Sequence, residues 1–179
     1  QPLDDLKREM QDHQKNGFRA VKMRIGVGLD HDLERVAACR EILGPDVKLM
    51  ADAVMGHNPS PWTAAEAVRA ARSLESYDLF WLEEPCFAAD YEGYAHVRRS
   101  TNVPISGGES SCMTYDFKHF FDRNALDIAQ PDACQAGGIL ECLKIAALAD
   151  VHGVKVAPHA WGTSITVAAN LAWAFVARN

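Results

Sequence analysis

Seven ionisable side chains recur along the 179-residue sequence, each at or near the end of a short apolar run: Lys22 and Arg24, then Asp52, Glu83, Glu109, Asp132 and His159. From Glu83 onward the intervals are 26, 23 and 27 residues, and the step from Asp52 to Glu83 is 31. Three carboxylates brought within a few ångströms of one another repel strongly unless a cation or protons neutralise them. An all-oxygen donor set favours a hard divalent ion, Mg²⁺ with Mn²⁺ as its substitute, over zinc or copper. Asp52, Glu83 and Glu109 are therefore the expected metal ligands. A histidine one repeat beyond a carboxylate, beside such a site, has the right pKa range for moving protons.

Those positions make sense only if the chain is built from a repeated unit. Amphipathic stretches of 3.6-residue spacing alternate with the apolar runs, which predicts βα repetition. The first helix shows Leu3, Leu6 and Met10 on one face and ends at Gly17, before a strand from Ala20 to Ile25. The second carries Leu33, Val36, Ala37 and Leu43, stops at Gly44-Pro45, and leads into the run Val47 to Asp52. Thr63 to Glu66 reads as a capping box, with Ala64, Ala67, Val68 and Ala71 facing inward. Strands then follow at Leu79 to Glu83, Pro104 to Glu109, Leu126 to Asp132 and Lys155 to His159. The intervening helices span Tyr91 to Arg99, Tyr115 to Arg123 and Ile139 to Ala149, and the last runs from Ser164 to the end.

Strands joined by helices lie parallel, and their apolar character covers both faces. A doubly wound sheet and a (β/α)₈ barrel both satisfy that pattern. The polar strand ends separate them, because they converge only if the sheet curls and shares one rim.

Composition narrows the partners. With 48% hydrophobic and 23% charged residues and a net charge of −6, the chain has the balance of an ordinary globular protein and no basic stripe for phosphates. No apolar run approaches the roughly 20 residues of a membrane span. Nucleic acid and membrane are not expected partners. Five cysteines with no CxxC argue against a disulfide framework or zinc site, and a cytoplasmic location is expected.

The segments that carry the polar residues resemble the mandelate racemase subgroup of the enolase superfamily. Val21-Lys-Met-Arg-Ile-Gly26 is similar to its KxK strand and Phe80-Trp-Leu-Glu-Glu-Pro85 to its WxEEP strand. Gly107-Gly-Glu109, Gln130-Pro-Asp-Ala133, Gly137-Gly138 and Pro158-His159 complete the series in order. The resemblance implies an α/β fold of the TIM-barrel type, incomplete here. About six βα units would form part of a C-terminal barrel domain over residues 1–179, without the first and last strands or the capping domain. It also implies that Asp52, Glu83 and Glu109 hold the metal, that Asp132 and His159 form the catalytic dyad, and that Glu84 turns to the helix side or to a hydrogen-bond partner. The full-length protein is expected to be a homo-oligomer.

One position departs from that pattern. Arg24 stands where the racemases have the second lysine, and an arginine holds its proton too tightly to be a general base. Lys22 and Arg24 are expected to face the barrel interior as two buried cations. The expected function is Mg²⁺-dependent removal of the α-proton of a carboxylate through a metal-stabilised enediolate, most simply the dehydration of an acid sugar. Racemisation or epimerisation of a 2-hydroxy acid, and a non-catalytic barrel that binds metal or acid, remain open. His57, Asn58 and Trp62, in the longer loop after Asp52, are candidate substrate contacts, and Trp161 a candidate pocket wall.

Overall fold

A computed structural model describes residues 1–177. In chain order the elements are α1 (Leu3–Lys15), β1 (Ala20–Arg24), α2 (Leu29–Leu43), β2 (Lys48–Asp52), α3 (Ala64–Leu74) and, after a 3₁₀ turn at Glu75–Tyr77, β3 (Leu79–Glu83). They continue as α4 (Tyr91–Ser100), β4 (Ile105–Gly107), α5 (Met113–Asp122), β5 (Ile128–Ala129), α6 (Ile139–Val151), β6 (Lys155–Val156) and α7 (Ser164–Ala174). The two residues at the end of the predicted last helix lie outside the described part.

All pairings are parallel and the strand order is sequential, β1 to β6. That order settles the choice left open by periodicity. A doubly wound sheet reverses its order at a switch point, whereas successive right-handed crossovers that never reverse put every helix on one face, as in a barrel.

The helix-facing side of the sheet forms the core. Val21, Met23 and Ile25 are buried from β1, and Leu49, Leu82, Ile105 and Ala129 from its neighbours. Leu6 and Met10 of α1 pack onto the same cluster, as the helical spacing predicts. The capping box is present: Thr63 Oγ1 accepts from the Glu66 N–H at 3.3 Å, and the Glu66 carboxylate accepts from the Thr63 N–H at 2.8 Å. On α3 the buried set is Ala67, Ala70, Ala71 and Leu74, while Ala64 and Val68 are only half-buried. The inward stripe is therefore shifted one turn toward the C-terminal end of the helix.

The later strands are shorter than predicted because the chain leaves the ladder early. Beyond Gly107, Ala129 and Val156 the backbone turns into rim loops, and these loops carry Glu109, Asp132 and His159. Gly107 and Gly108 make the first of these exits possible. A Cβ on Gly107 would meet the Tyr94 ring at 2.9 Å, and Gly108 has φ +105° with the Phe117 ring 2.7 Å from where its Cβ would be. Among the described residues no helix is long and apolar enough to cross a membrane.

Candidate active site at the strand C-termini

The register places Arg24, Asp52, Glu83 and Ser106 side by side across β1 to β4, so their side chains share the face away from the helices. Asp32, buried in the first turn of α2, accepts the N–H groups of Gly26 at 2.8 Å and Gly28 at 3.2 Å and pins the end of β1. Lys22 and Arg24 lie on that inner face but are exposed, which corrects the expectation of two buried cations: the described residues leave this face of β1 uncovered.

Two clusters form along the rim. In the first, the Lys22 ammonium contacts Glu83 Oε1 and lies 3.7 Å from Asp52 Oδ2. Glu83 is fully buried, and its Oε2 accepts the Trp81 indole N–H at 2.9 Å. Asp52 Oδ1 accepts the Val54 N–H at 2.9 Å. Burial, and then the charge of Glu83, push the Asp52 carboxyl up to about 6 in spite of Lys22. Arg24 has no side-chain partner among the described residues.

In the second cluster, His159 Nδ1 bonds Asp132 Oδ2 at 2.8 Å and its Nε2 lies 3.4 Å from Glu109 Oε2. Burial works to raise the Asp132 carboxyl, but hydrogen bonds from Asn170, the Cys134 N–H and His159 outweigh it and hold the group below its ordinary value. A carboxylate on Nδ1 fixes the imidazole so that Nε2 is the nitrogen offered to the site. Sequence reasoning missed the supports of this dyad. Asn170 of α7 donates to Asp132 Oδ1 at 2.8 Å, while its own Oδ1 accepts from the Ala133 N–H at 2.8 Å and from Trp173 Nε1 at 2.9 Å. An asparagine inside an apolar helix was the available signal.

Glu84 turns toward the Gly56 N–H, in keeping with the expected hydrogen-bond partner. Its backbone takes φ +45°, the side chain is 1% exposed, and Oε1 has no hydrogen-bond partner. It sits against Gly56, where a Cβ would come within 2.2 Å of its carboxylate. Burial first, then the charges of Glu109, Asp52 and Glu83, push it up to about 8. Four carboxyl groups thus crowd this rim. Among the described residues no three His, Cys, Asp or Glu side chains close into a ready metal cage, because Glu109 faces His159 and Lys22 stands between Asp52 and Glu83. The donor chemistry nevertheless fits a hard cation. The donors are carboxylate oxygens, and the raised Asp52 and Glu84 mark a site short of positive charge.

A cavity of ≈ 730 Å³ lies at the opposite strand ends beside Lys48, Phe80, Asp127 and Lys155, and none of the rim carboxylates lines it. Trp161 is 77% exposed, so among the described residues it neither walls a pocket nor packs on a helix. Burial pushes the Cys86 thiol up to about 12, in keeping with a structural role, whereas Cys134 is exposed.

Residues 5–179 match the Enolase C-terminal domain-like family. The chain belongs to that family. Within the enolase superfamily it falls with the mandelate racemase subgroup. It is 39% identical over 169 residues to the D-galactarolactone cycloisomerase of Agrobacterium fabrum, covering 94% of this chain and 43% of that protein. It is 36% identical over 159 residues to the L-talarate/galactarate dehydratase of Salmonella typhimurium, covering 88% and 39%. The crystal structure of L-talarate dehydratase from Polaromonas sp. JS666, complexed with Mg and L-glucarate, superposes with a TM-score of 0.85 at 33% identity over 96% of this chain and 46% of that one. The chain therefore spans less than half the length of these enolase-superfamily relatives.

Proposed function

We propose that the chain supplies the proton-transfer and cation-binding residues of an acid-sugar dehydratase, as part of a C-terminal barrel domain over residues 1–179. The observation that carries this reading is His159, oriented by Asp132 and presenting Nε2 to the acidic rim at Glu109. The dehydratase among its relatives adds support.

Asp52, Glu83 and Glu109 are the residues that would hold Mg²⁺, or Mn²⁺ in its place. Bound there, the ion would draw off the negative charge that builds on the substrate carboxylate as the α-proton leaves. His159 Nε2 takes that proton. The same nitrogen then returns it to the departing β-hydroxyl, so that water leaves and the enol product tautomerises to a 2-keto-3-deoxy acid. Asp132 keeps Nδ1 protonated throughout. Lys22 and Arg24 serve as cations for the substrate carboxylate, Arg24 as a fixed one because it does not release its proton.

A second reading, isomerisation or epimerisation, is favoured by the similarity to a cycloisomerase and shares the first proton transfer. The two part at the product. Incubation of the full-length enzyme with Mg²⁺ and a panel of aldonic and aldaric acids is expected to release 2-keto-3-deoxy acids, detected as semicarbazones. Exchange of the α-proton with solvent deuterium without loss of water would select the second reading. A homo-oligomer and a cytoplasmic location remain part of the proposal.

A further inference from the structure

The loop between β2 and α3 is not free to wander. The Met55 N–H donates to the Glu84 carbonyl at 3.0 Å, and the Ala88 N–H donates to the Gly56 carbonyl at 3.2 Å, so its first half is stitched to the end of β3. Of the three loop residues singled out from the sequence, two are used inside the loop. Asn58 Oδ1 accepts the Ser60 N–H at 2.9 Å and its amide contacts Met55 Sδ, while Trp62 packs against the core. His57 instead reaches past the end of β3, and its Nε2 contacts Ser110 Oγ.

Ser110 directly follows Glu109, whose carboxylate lies 3.4 Å from His159. The acidic rim is thus flanked by two histidines, His159 bonded to a carboxylate and His57 to a hydroxyl. A serine hydroxyl has one donor and two acceptor positions, and a neutral imidazole has one of each. Their mutual contact uses one donor and one acceptor. His57 Nδ1 and the remaining capacity of Ser110 Oγ have no partner among the described residues. When Nε2 carries the proton and donates it to Oγ, the Ser110 hydroxyl keeps its own O–H and a lone pair, so it matches a secondary alcohol, which both gives and accepts a hydrogen bond.

We propose that His57 and Ser110 form a hydroxyl-reading pair, which contacts a carbinol of the substrate remote from the reacting carbon and so sets which acid sugar is accepted. The inference rests on the reading that this rim binds an acid sugar. The probes are galactarate, L-talarate and D-glucarate, related by inversion at single carbinols, with D-galactonate as the mono-acid. Initial rates of the full-length enzyme with Mg²⁺ are measured for the wild type, Ser110→Ala, His57→Leu and His57→Gln.

The expected result is that Ser110→Ala and His57→Leu each lower kcat/KM for the preferred acid sugar about tenfold, roughly one lost hydrogen bond. The loss should lie in KM, and kcat/KM for the disfavoured epimers should change less than about twofold, which compresses the selectivity. His57→Gln, which keeps a donor and an acceptor, should restore part of the preference and shows that the fold tolerates change at this position. A loss shared equally by every acid sugar, with the preference unchanged, overturns the hydroxyl-reading role and leaves a loop latch. If the wild type turns over none of the probes, the acid-sugar reading fails and the pair's role fails with it.

Discussion

Glu84 and Glu141 are both poorly exposed glutamates, at 1% and 9%, yet their carboxyl groups are displaced in opposite directions. Glu141, in the first turn of α6, accepts from the Thr114 N–H at 2.9 Å, from the Thr114 hydroxyl at 2.6 Å and from Lys144 at 2.9 Å. Those bonds hold it down at about 2. Glu84, on the rim, lacks a partner for Oε1, lies near three further carboxylates, and stands at about 8. In the helix layer, acidic groups are satisfied and tie elements together. At the strand C-termini they are crowded and under-compensated, which costs stability and is in keeping with the proposed cation site.

The contrast can be broken or sharpened by substitution. The largest effect is expected from His159→Asn, which removes the proton-transfer group: kcat on an acid sugar should fall by about 10³ or more, with the melting temperature nearly unchanged. Next come the two glutamates, which should differ in sign. Glu84→Gln is expected to stabilise the metal-free protein at pH 9 by on the order of 2 kcal/mol, because a buried charge crowded by other carboxylates disappears. Glu141→Gln should destabilise it, since three donors lose a charged acceptor. Urea unfolding of both variants checks the signs.

A pH series probes the same difference without mutation. Asp52 titrates at about 6 in the folded chain against an ordinary 3.8, and Glu84 at about 8 against 4.5, so in these windows the folded state binds more protons. Stability of the metal-free protein should therefore fall as pH rises from about 4 to about 8, and Mg²⁺ should flatten that decline. Glu141 acts in the other direction: its contribution is present above about 4.5 and lost as pH falls toward about 2. The smallest effect is expected from Trp81→Phe, which deletes the N–H held by Glu83 Oε2 and should cost about 1 kcal/mol in urea unfolding.

The repeat unit was legible because each strand is a short apolar run and each helix an amphipathic one. β3 falls at Leu79–Glu83, as its hydrophobic run and terminal glutamate predict. The ends of β4, β5 and β6 were not legible. A ladder stops where the backbone turns into a rim loop, and the polar residues that mark the rim, Glu109, Asp132 and His159, lie two or three positions beyond Gly107, Ala129 and Val156, where the pairing has already ended. The family showed in the residues at the rim. What the sequence withheld was their company. Lys22 pairs with Glu83, and Asn170 holds Asp132 from a helix 38 residues away, contacts that no local pattern encodes. The upward push on the Glu84 carboxyl was not legible for a similar reason, since the groups around it, Gly56, Asp52 and Glu109 among them, come from other segments.

That the rim's carboxylates are arranged for a divalent cation is most directly tested by titrating Mg²⁺ calorimetrically into the full-length protein and its Glu109→Gln variant at pH 7.5. One ion per chain for the wild type, with affinity at least about tenfold weaker in the variant, is the predicted result. No uptake by the wild type, or an affinity that Glu109→Gln leaves unchanged, would contradict it.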